Sequence, residues 1–313
     1  MVVWKGEHEQ VVYQPEAAGS YGTDPSGARI WLGIVQRFTP REDRTIHEIA
    51  GIGKGRDLAQ LVPGAFKVNG TTEFFVQNAR IFKYAYGGYG RTGSTHSITG
   101  AATIPSLTFE VSQAIAGSAT SATLRKYLGV KINKATLRFA KEEPLTCTLD
   151  WIAQDKTVTP SVSRSTVSDT AEVPFMFQNG RIWVDGGSVA EILNGEISLE
   201  NNLEARHYIN QDGVQEKIAE PTEHIRKHSG TLTIEISGTG VSYQNYLRTG
   251  STFTTTLQMI RTSGSDYIEM DIYGCKLTSA PIESITKGIM TQTLNFVGTT
   301  GSFFAHDTIG SDY

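Results

Sequence analysis

The stretch GVKINKATLRFAKEEPLTCTLDWIA at residues 129–153 recurs without a gap as GCKLTSAPIESITKGIMTQTLNFVG at residues 274–298. Gly129 matches Gly274, Lys131 matches Lys276, Ala135 matches Ala280 and Leu137 matches Ile282. Further on, Thr148 matches Thr293, Leu149 matches Leu294, Asp150 matches Asn295 and Trp151 matches Phe296. Side-chain size and polarity persist even where identity is lost. The copies lie about 145 residues apart, far beyond the period of a solenoid, so the repeat reads as a duplicated domain.

The echo continues outward. REDRTIHEIAG (41–51) aligns with LEARHYINQDG (203–213), setting Glu42 beside Glu204 and Arg44 beside Arg206. GIGKGRDLAQLVPGAFKVNG (51–70) aligns with GVQEKIAEPTEHIRKHSG (213–230), a pair of connections long enough to be functional. Short strands at 71–76 and 231–236 follow, then brief helices at 78–87 and 242–250, each closed by a glycine suited to a left-handed cap. Alternating apolar positions pair SLTFEV (106–111) with YIEMDI (267–272), which makes 112–127 an insertion in the first copy.

The expected fold class is mainly β: a tandem duplication of a β-barrel or sandwich domain, each copy with a short helix. The expected organisation is an N-terminal arm at 1–29, a first β domain at 30–157, a linker with a β-hairpin at 158–188, a second β domain at 189–300 and a C-terminal arm at 301–313. Ile30, Leu32, Ile34, Ile46 and Ile49 supply the apolar members of the first strand pair. Asn179-Gly180, between two apolar runs, predicts the turn of a projecting hairpin. The N-terminal arm either lies on its own domain, reaches a neighbour or stays a partly ordered tail. Phe303, Phe304 and Ile309 make the C-terminal arm apolar enough to dock.

Composition narrows the function. A chain of 313 residues suits two domains, each able to bury roughly 70% of its unfolded surface. Its 32 glycines and frequent Ser and Thr favour strands joined by tight turns. The net charge of −4, with no basic block, argues against a sequence-reading nucleic-acid binder. Neither a signal peptide nor an apolar run of about 18 residues is visible, so folding in a cytoplasm with no membrane partner is expected. Cys147 and Cys275 lack cysteine counterparts in the other copy and read as small buried residues, not a disulfide.

Motifs that could carry chemistry are weak. Gly88-Tyr89-Gly90-Arg91-Thr92-Gly93 fits GxGxxG, but it follows a helix and leads into a strand, with no βαβ unit around it. His224 and His228 have a metal-like spacing without a third ligand, so a solvated polar loop is the better reading. Glu142 and Glu143 are adjacent, and neighbours on an extended segment point to opposite faces, which suits a turn. No GxSxG nucleophile occurs. The expectation is therefore no enzyme, no cofactor and no metal site.

The stretches SYGTDPSGARIWLGIVQRF (20–38), NKATLRFAKEEPLTCTLDWIA (133–153), SLENNLEARHYI (198–209) and YLRTGSTFTTTLQMIRTSGSDYIEMDIYGCKLTSAPI (246–282) resemble the major tail tube proteins of long-tailed, siphovirus-like viruses of bacteria and archaea. The similarity runs over about residues 20–300. It implies a structural subunit that self-assembles into stacked rings and forms a hollow conduit for viral DNA. With two domains per chain, it implies homotrimeric rings of pseudo-sixfold symmetry in preference to homohexamers. The implied partners are tape-measure protein and DNA in the lumen, with tail-terminator and tail-tip proteins at the ends; the implied location is the virion tail, assembled in host cytoplasm. In that family a long loop reaches the adjacent ring. Its place here is held by 51–69 and 213–229, within which Arg56, Asp57, Leu61, Phe66, Lys217, Glu220, Glu223 and Arg226 are the expected inter-ring contacts. The competing class is a carbohydrate- or receptor-binding β-sandwich module, for which Tyr84, Tyr86 and Tyr89 come nearest to an aromatic cluster.

Overall fold

The computed structural model describes residues 9–25, 27–53, 56–114, 121–165, 167, 172–189, 191–208, 217–236, 240–261, 266–283 and 289–307. One long ladder organises the chain. Strand β3 (Ile34–Ile49) pairs with β4 (Gln60–Phe75), β4 with β9 (Thr146–Ala153), and β9 with the distal half of β8 (Ala122–Ala140). The second copy then repeats the plan. β8 pairs with β13 (Ile192–Glu200), β13 with β14 (Lys227–Glu235), β14 with β18 (Thr291–Gly298), and β18 with the distal half of β16 (Tyr267–Ser279) and with β17 (Ile282–Glu283). Pro40 stands opposite Gly70 and Gly70 opposite Trp151, just as Ile197 stands opposite Gly230 and Gly230 opposite Phe296.

A second layer closes each core. In the first copy β1 (Glu9–Pro15) carries β2 (Ile30–Trp31) and pairs with β7 (Leu107–Ala114). β7 in turn pairs with the proximal half of β8, whose other edge holds β10 (Asp155–Val162). In the second copy β11 (Gly180–Val184) carries β12 (Gly187–Ser188) and pairs with β15 (Phe253–Ile260). β15 pairs with the proximal half of β16, whose other edge holds β19 (Thr300–His306). Phe38, Phe109, Tyr127 and Trp151 join the two layers of the first copy, with Phe38 stacked 5.6 Å from Trp151. Phe253 against Phe296 does the same in the second. Strand β9 shows the pattern behind this packing. Cys147, Leu149, Trp151 and Ala153 are buried, while Thr146, Thr148, Asp150 and Ile152 alternate on the half-exposed face. Both cysteines are free and buried.

The long strands β8 and β16 change neighbours midway, and each does so at a glycine. Gly129 has φ +64° and Gly274 φ +59°, the left-handed region that a side chain disfavours. Close packing adds to the demand at Gly129, where a Cβ would meet the Tyr21 ring at 2.9 Å and Gln154 Cβ at 2.8 Å. The Gly129 N–H donates to the buried carboxylate of Glu16 at 2.7 Å, which also accepts from Ser106 and Thr108. The N-terminal segment is thereby tied to the bend.

Sequence alignment and strand register part company in several places. Leu107 stands opposite Val130, and Phe253 opposite Cys275, so β7 corresponds to β15. The counterpart of SLTFEV thus lies at 252–257, and YIEMDI instead opens β16. The extra element of the first copy is not 112–127, of which 115–120 lie outside the described residues. It is the hairpin β5 (Gly87–Thr92) and β6 (Thr95–Gly100), which adds onto β19. Asp43 stands opposite Lys67 as Glu200 does opposite Lys227, so Asp43 and Glu200 are counterparts, not Glu42 and Glu204. Asn179-Gly180 leads from a 3-10 turn into β11, and the hairpin turn falls at Asp185-Gly186. There both φ angles are positive, 52° and 77°, as a type I′ turn requires. Val11, Val12 and Tyr13 are buried against β7, and Phe303 stacks 4.3 Å from Phe82, so both described arms pack on this chain. Ile309 lies outside the described residues. The helices stand as expected, α1 (Lys83–Tyr86) ending at Gly87 and α2 (Gly240–Thr249) at Gly250.

Candidate inter-subunit surfaces

The eight-strand ladder has two ends. Among the described pairings, β3 bonds to β4 on one side alone, and β17 with the distal half of β16 bonds only to β18. Exposed strand edges carry unpaired N–H and C=O groups and are ready sites for strand addition.

The second exposed feature is the outer half of the β3–β4 hairpin. Among the described pairings neither strand meets another neighbour beyond Asp43 and Lys67, yet pairing continues from Arg44 opposite Phe66 to Ile49 opposite Gln60. At about 3.3 Å per residue this arm extends some 20 Å. What the sequence suggests as a loop at 51–69 is therefore mostly strand, with its turn between Ile49 and Gln60. Ile46, Ile49, Ile52, Leu58 and Leu61 are exposed along it, Leu61 at 60%. Ile34, Ile46 and Ile49, apolar members of the first strand pair, are thus exposed and lie outside the core. Arg56 and Asp57 are exposed near the tip, and Phe66 is half-buried at the base with the Arg44 guanidinium 5.4 Å above its ring.

The corresponding segment of the second copy does something else. Its described part, 217–226, folds back onto the first copy; residues 213–216 lie outside the described residues. Lys131, 1% exposed, holds Glu220 at 2.7 Å and Glu223 at 2.6 Å. Burial opposes ionisation of Glu223, but Lys131 and the backbone N–H of Ile104 outweigh it and hold that carboxyl below the usual range. Lys217 pairs with Asp155 at 2.5 Å. Arg226 donates to Asn201 Oδ1 and to the carbonyls of Tyr86 and Ala101, at 3.2, 3.1 and 2.6 Å. The eight expected contact residues therefore fall into two groups. Arg56, Asp57, Leu61 and Phe66 sit on the arm, while Lys217, Glu220, Glu223 and Arg226 form an intramolecular clasp. Asn201, which donates to the carbonyls of Ala85 and Ile132 at 2.9 Å, belongs to the clasp and carried no sequence signal.

The other motifs resolve as structure. The GxGxxG stretch forms β5 and the β5–β6 turn. His224 pairs with Glu204 at the surface, while His228 is buried. Glu142, with φ +66°, and Glu143 lie exposed on a turn. Tyr84 and Tyr86 are buried, and Tyr89 stacks on His96, so the tyrosines do not present an exposed aromatic cluster. Among the described residues no cluster of three or more His, Cys, Asp or Glu could hold a metal ion, and no helix is long and apolar enough to cross a membrane.

A duplicated β-sandwich with, among the described pairings, two open ladder ends and a projecting arm suits a structural protein. The phage tail tube protein family matches residues 6–298, and the chain belongs to that family. It is a structural subunit of a phage tail tube. Two solved structures are similar over part of the chain. One is the tube-terminating cap of the anti-feeding prophage, 9% identical, covering 44% of this chain and 94% of that one, with a TM-score of 0.32. The other is from the six-fold symmetrised baseplate of the anti-feeding prophage, 11% identical, covering 44% and 97%, with a TM-score of 0.33. No curated protein matches this chain.

Proposed function

We propose that three copies close into a ring of pseudo-sixfold symmetry, and that rings stack into the tail tube of a siphovirus-like phage. The observation that carries this reading is the seam between β8 and β13, where the end strand of the first copy already pairs with the first strand of the second. The same join between chains would use the free edges of β17 and β3. A ladder of eight strands per chain then closes on itself, leaving no exposed edge. Each copy counts as one tube domain, with β1 and β2 in the first and β11 and β12 in the second supplying their corresponding outer strands.

The half-exposed face of the ladder is the lumen wall in this arrangement. It carries Thr136, Thr148, Thr231 and Thr293, and its basic Arg37, Lys134 and Arg138 stand opposite the acidic Glu73, Asp150, Glu196 and Glu200, so it offers DNA no unbroken basic track for counterion release. Tape-measure protein and DNA occupy the lumen, and tail-terminator and tail-tip proteins cap the ends. Arg56, Asp57, Leu61 and Phe66 on the β3–β4 arm carry the ring-to-ring contact. Lys217, Glu220, Glu223 and Arg226 instead fix the two domains of one chain. The protein has no enzymatic role, and assembly takes place in host cytoplasm. Electron microscopy of the purified chain at high concentration tests the reading: threefold rings and tubes are expected, and a chain that stays monomeric with and without seeding would overturn it.

A further inference from the structure

The β3–β4 arm leaves the ladder beyond Asp43, at the end where β9 finishes at Ala153 and β13 at Glu200. At the opposite end β8 finishes at Ala140 and β13 begins at Ile192. A groove of about 340 Å³ lies there, across the seam between the two copies. Phe139 of the first copy lines it together with Phe177, Ile182, Val189, Ile192 and Met259 of the second. Arg181, exposed at the rim, is the one charged side chain among the described lining residues.

The first copy is closed at the corresponding place. Because β7 corresponds to β15, Glu9, Gln113 and Arg125 hold the positions of Gly180, Met259 and Met270. Arg125 donates to Glu9 and to Gln113, each at 2.8 Å. A polar network thus fills in the first copy what is apolar in the second. Each chain carries one projecting arm and, among the described residues, one apolar groove at the far end of the ladder.

We propose that this groove seats the arm of a second copy of the chain in the adjacent ring, and that the corresponding place of the first copy takes no arm. The proposal rests on the tube reading and names the receiving site of its ring-to-ring contact. Position supports it. Rings stacked in one direction present their arms to the groove end of the next ring, a head-to-tail contact that propagates along the axis. The ladder spans only about 30 Å from Ile34 to Asp43, so an arm of some 20 Å reaches well into the neighbouring domain. Charge supports it as well. Directly opposed residues share one face of a strand pair, and so do residues two apart on a strand. One face of the arm therefore carries Ile46 with Pro63 and Glu48 with Leu61. Three apolar side chains and a single carboxylate meet an apolar groove with a single guanidinium. Seating the arm takes Ile46 and Leu61, 50% and 60% exposed, out of water. It also explains why one arm per chain suffices: a ring offers three arms, and the next ring offers three apolar seats among six domains.

Cross-linking of the full-length chain tests the seat. Cys147 and Cys275 are both 0% exposed and do not compete. Leu61→Cys with Arg181→Cys, treated with a short bismaleimide after tube assembly, should give a ladder of linked chains running past trimer on a denaturing gel. Gln10 holds the position of Arg181 in the first copy, and Leu61→Cys with Gln10→Cys should give no such ladder. Tubes that do not cross-link through Arg181→Cys, or that cross-link equally through Gln10→Cys, overturn the seat and leave the tube reading standing. Charge reversal tests the fit at two exposed positions, where folding is not at stake. Arg181→Glu or Glu48→Arg alone, acting at three contacts per ring interface, should weaken stacking by about tenfold, and the two together should restore it. Unchanged stacking in both single variants, or a double variant no better than either, overturns the charge match. Failure of the unaltered chain to form tubes overturns the tube reading, and the seat with it.

Discussion

His228 and Val68 hold the same position in the two copies, opposite Leu199 and Glu42 respectively. Burial, and then the charge of Arg226, lower the His228 pKa from 6.5 to about 4. A base whose folded pKa is lowered binds protons more weakly in the native state than unfolded. Its contribution to stability is intact above the unfolded value and declines as pH falls from about 6.5 towards 4. His228→Val should flatten that decline, gaining about 2 kcal/mol relative to the unaltered chain near pH 4.5 and little at pH 8. Parallel melting-temperature profiles across this range would refute the assignment. Lys131 makes a second contrast within the clasp. Lys131→Met strands Glu223 in a partly buried setting and should cost about 2–3 kcal/mol, with faster proteolysis between 201 and 226. Glu220→Gln should cost under about 0.5 kcal/mol, because that carboxylate is more than half exposed and its pair is screened by solvent. Equal losses in the two variants, measured by denaturant unfolding, would show that Glu220 and not burial dominates the site.

Gly129 and Gly274 set the geometry of whole strands, since β8 and β16 leave one layer for the other at these points. Alanine at either position meets the left-handed penalty of about 1–2 kcal/mol. Gly129→Ala should cost more than Gly274→Ala in thermal unfolding. The Tyr21 ring and Gln154 Cβ crowd the first site, whereas the second meets the terminal atoms of Thr299, a side chain that can rotate. Equal costs would mean that crowding adds nothing to the φ requirement. These glycines were legible in the sequence because a side chain is disfavoured at their φ values, and both copies keep glycine there. Trp151 and Phe296 were legible for a related reason: each lies across a glycine, Gly70 or Gly230, that leaves room for its ring. The pairing of 106–111 was not legible. A period of two is common to all half-buried strands, so alternation finds a strand without identifying its counterpart. The clasp was equally hidden, because Lys131 and Glu223 lie 92 residues apart and nothing local marks them as partners. The exposure of Ile46 and Ile49 was not legible either. Apolar residues on a strand suggest a core, and here they lie on an arm that reaches past its own domain.

On the scale of the whole molecule, the two copies differ most in their β3–β4 and β13–β14 connections. One projects as an apolar arm, and the other is held down by Lys131, Asp155 and backbone carbonyls of the first copy. On the proposed assembly a ring of three chains then offers three arms to its neighbour, so ring-to-ring contact has threefold symmetry although the wall is pseudo-sixfold. Lateral closure uses the ladder edges up to Asp43, and stacking uses the hairpin beyond it. The two functions should therefore separate. A chain in which residues 45–65 are replaced by Asn-Gly keeps Arg44 and Phe66 as a closing pair on a favoured two-residue turn. Among the described pairings the removed strands pair only with each other, so the domain should lose little stability and rings should still form. Without Ile46, Ile49, Ile52, Leu58 and Leu61, exposed apolar groups that a partner would cover, those rings should remain unstacked when viewed by electron microscopy. Lys217→Ala, which weakens the clasp without touching the arm, should leave tube length unchanged. Full-length tubes from the shortened chain would remove the arm from the ring-to-ring contact. Short tubes from Lys217→Ala would return that role to 217–226.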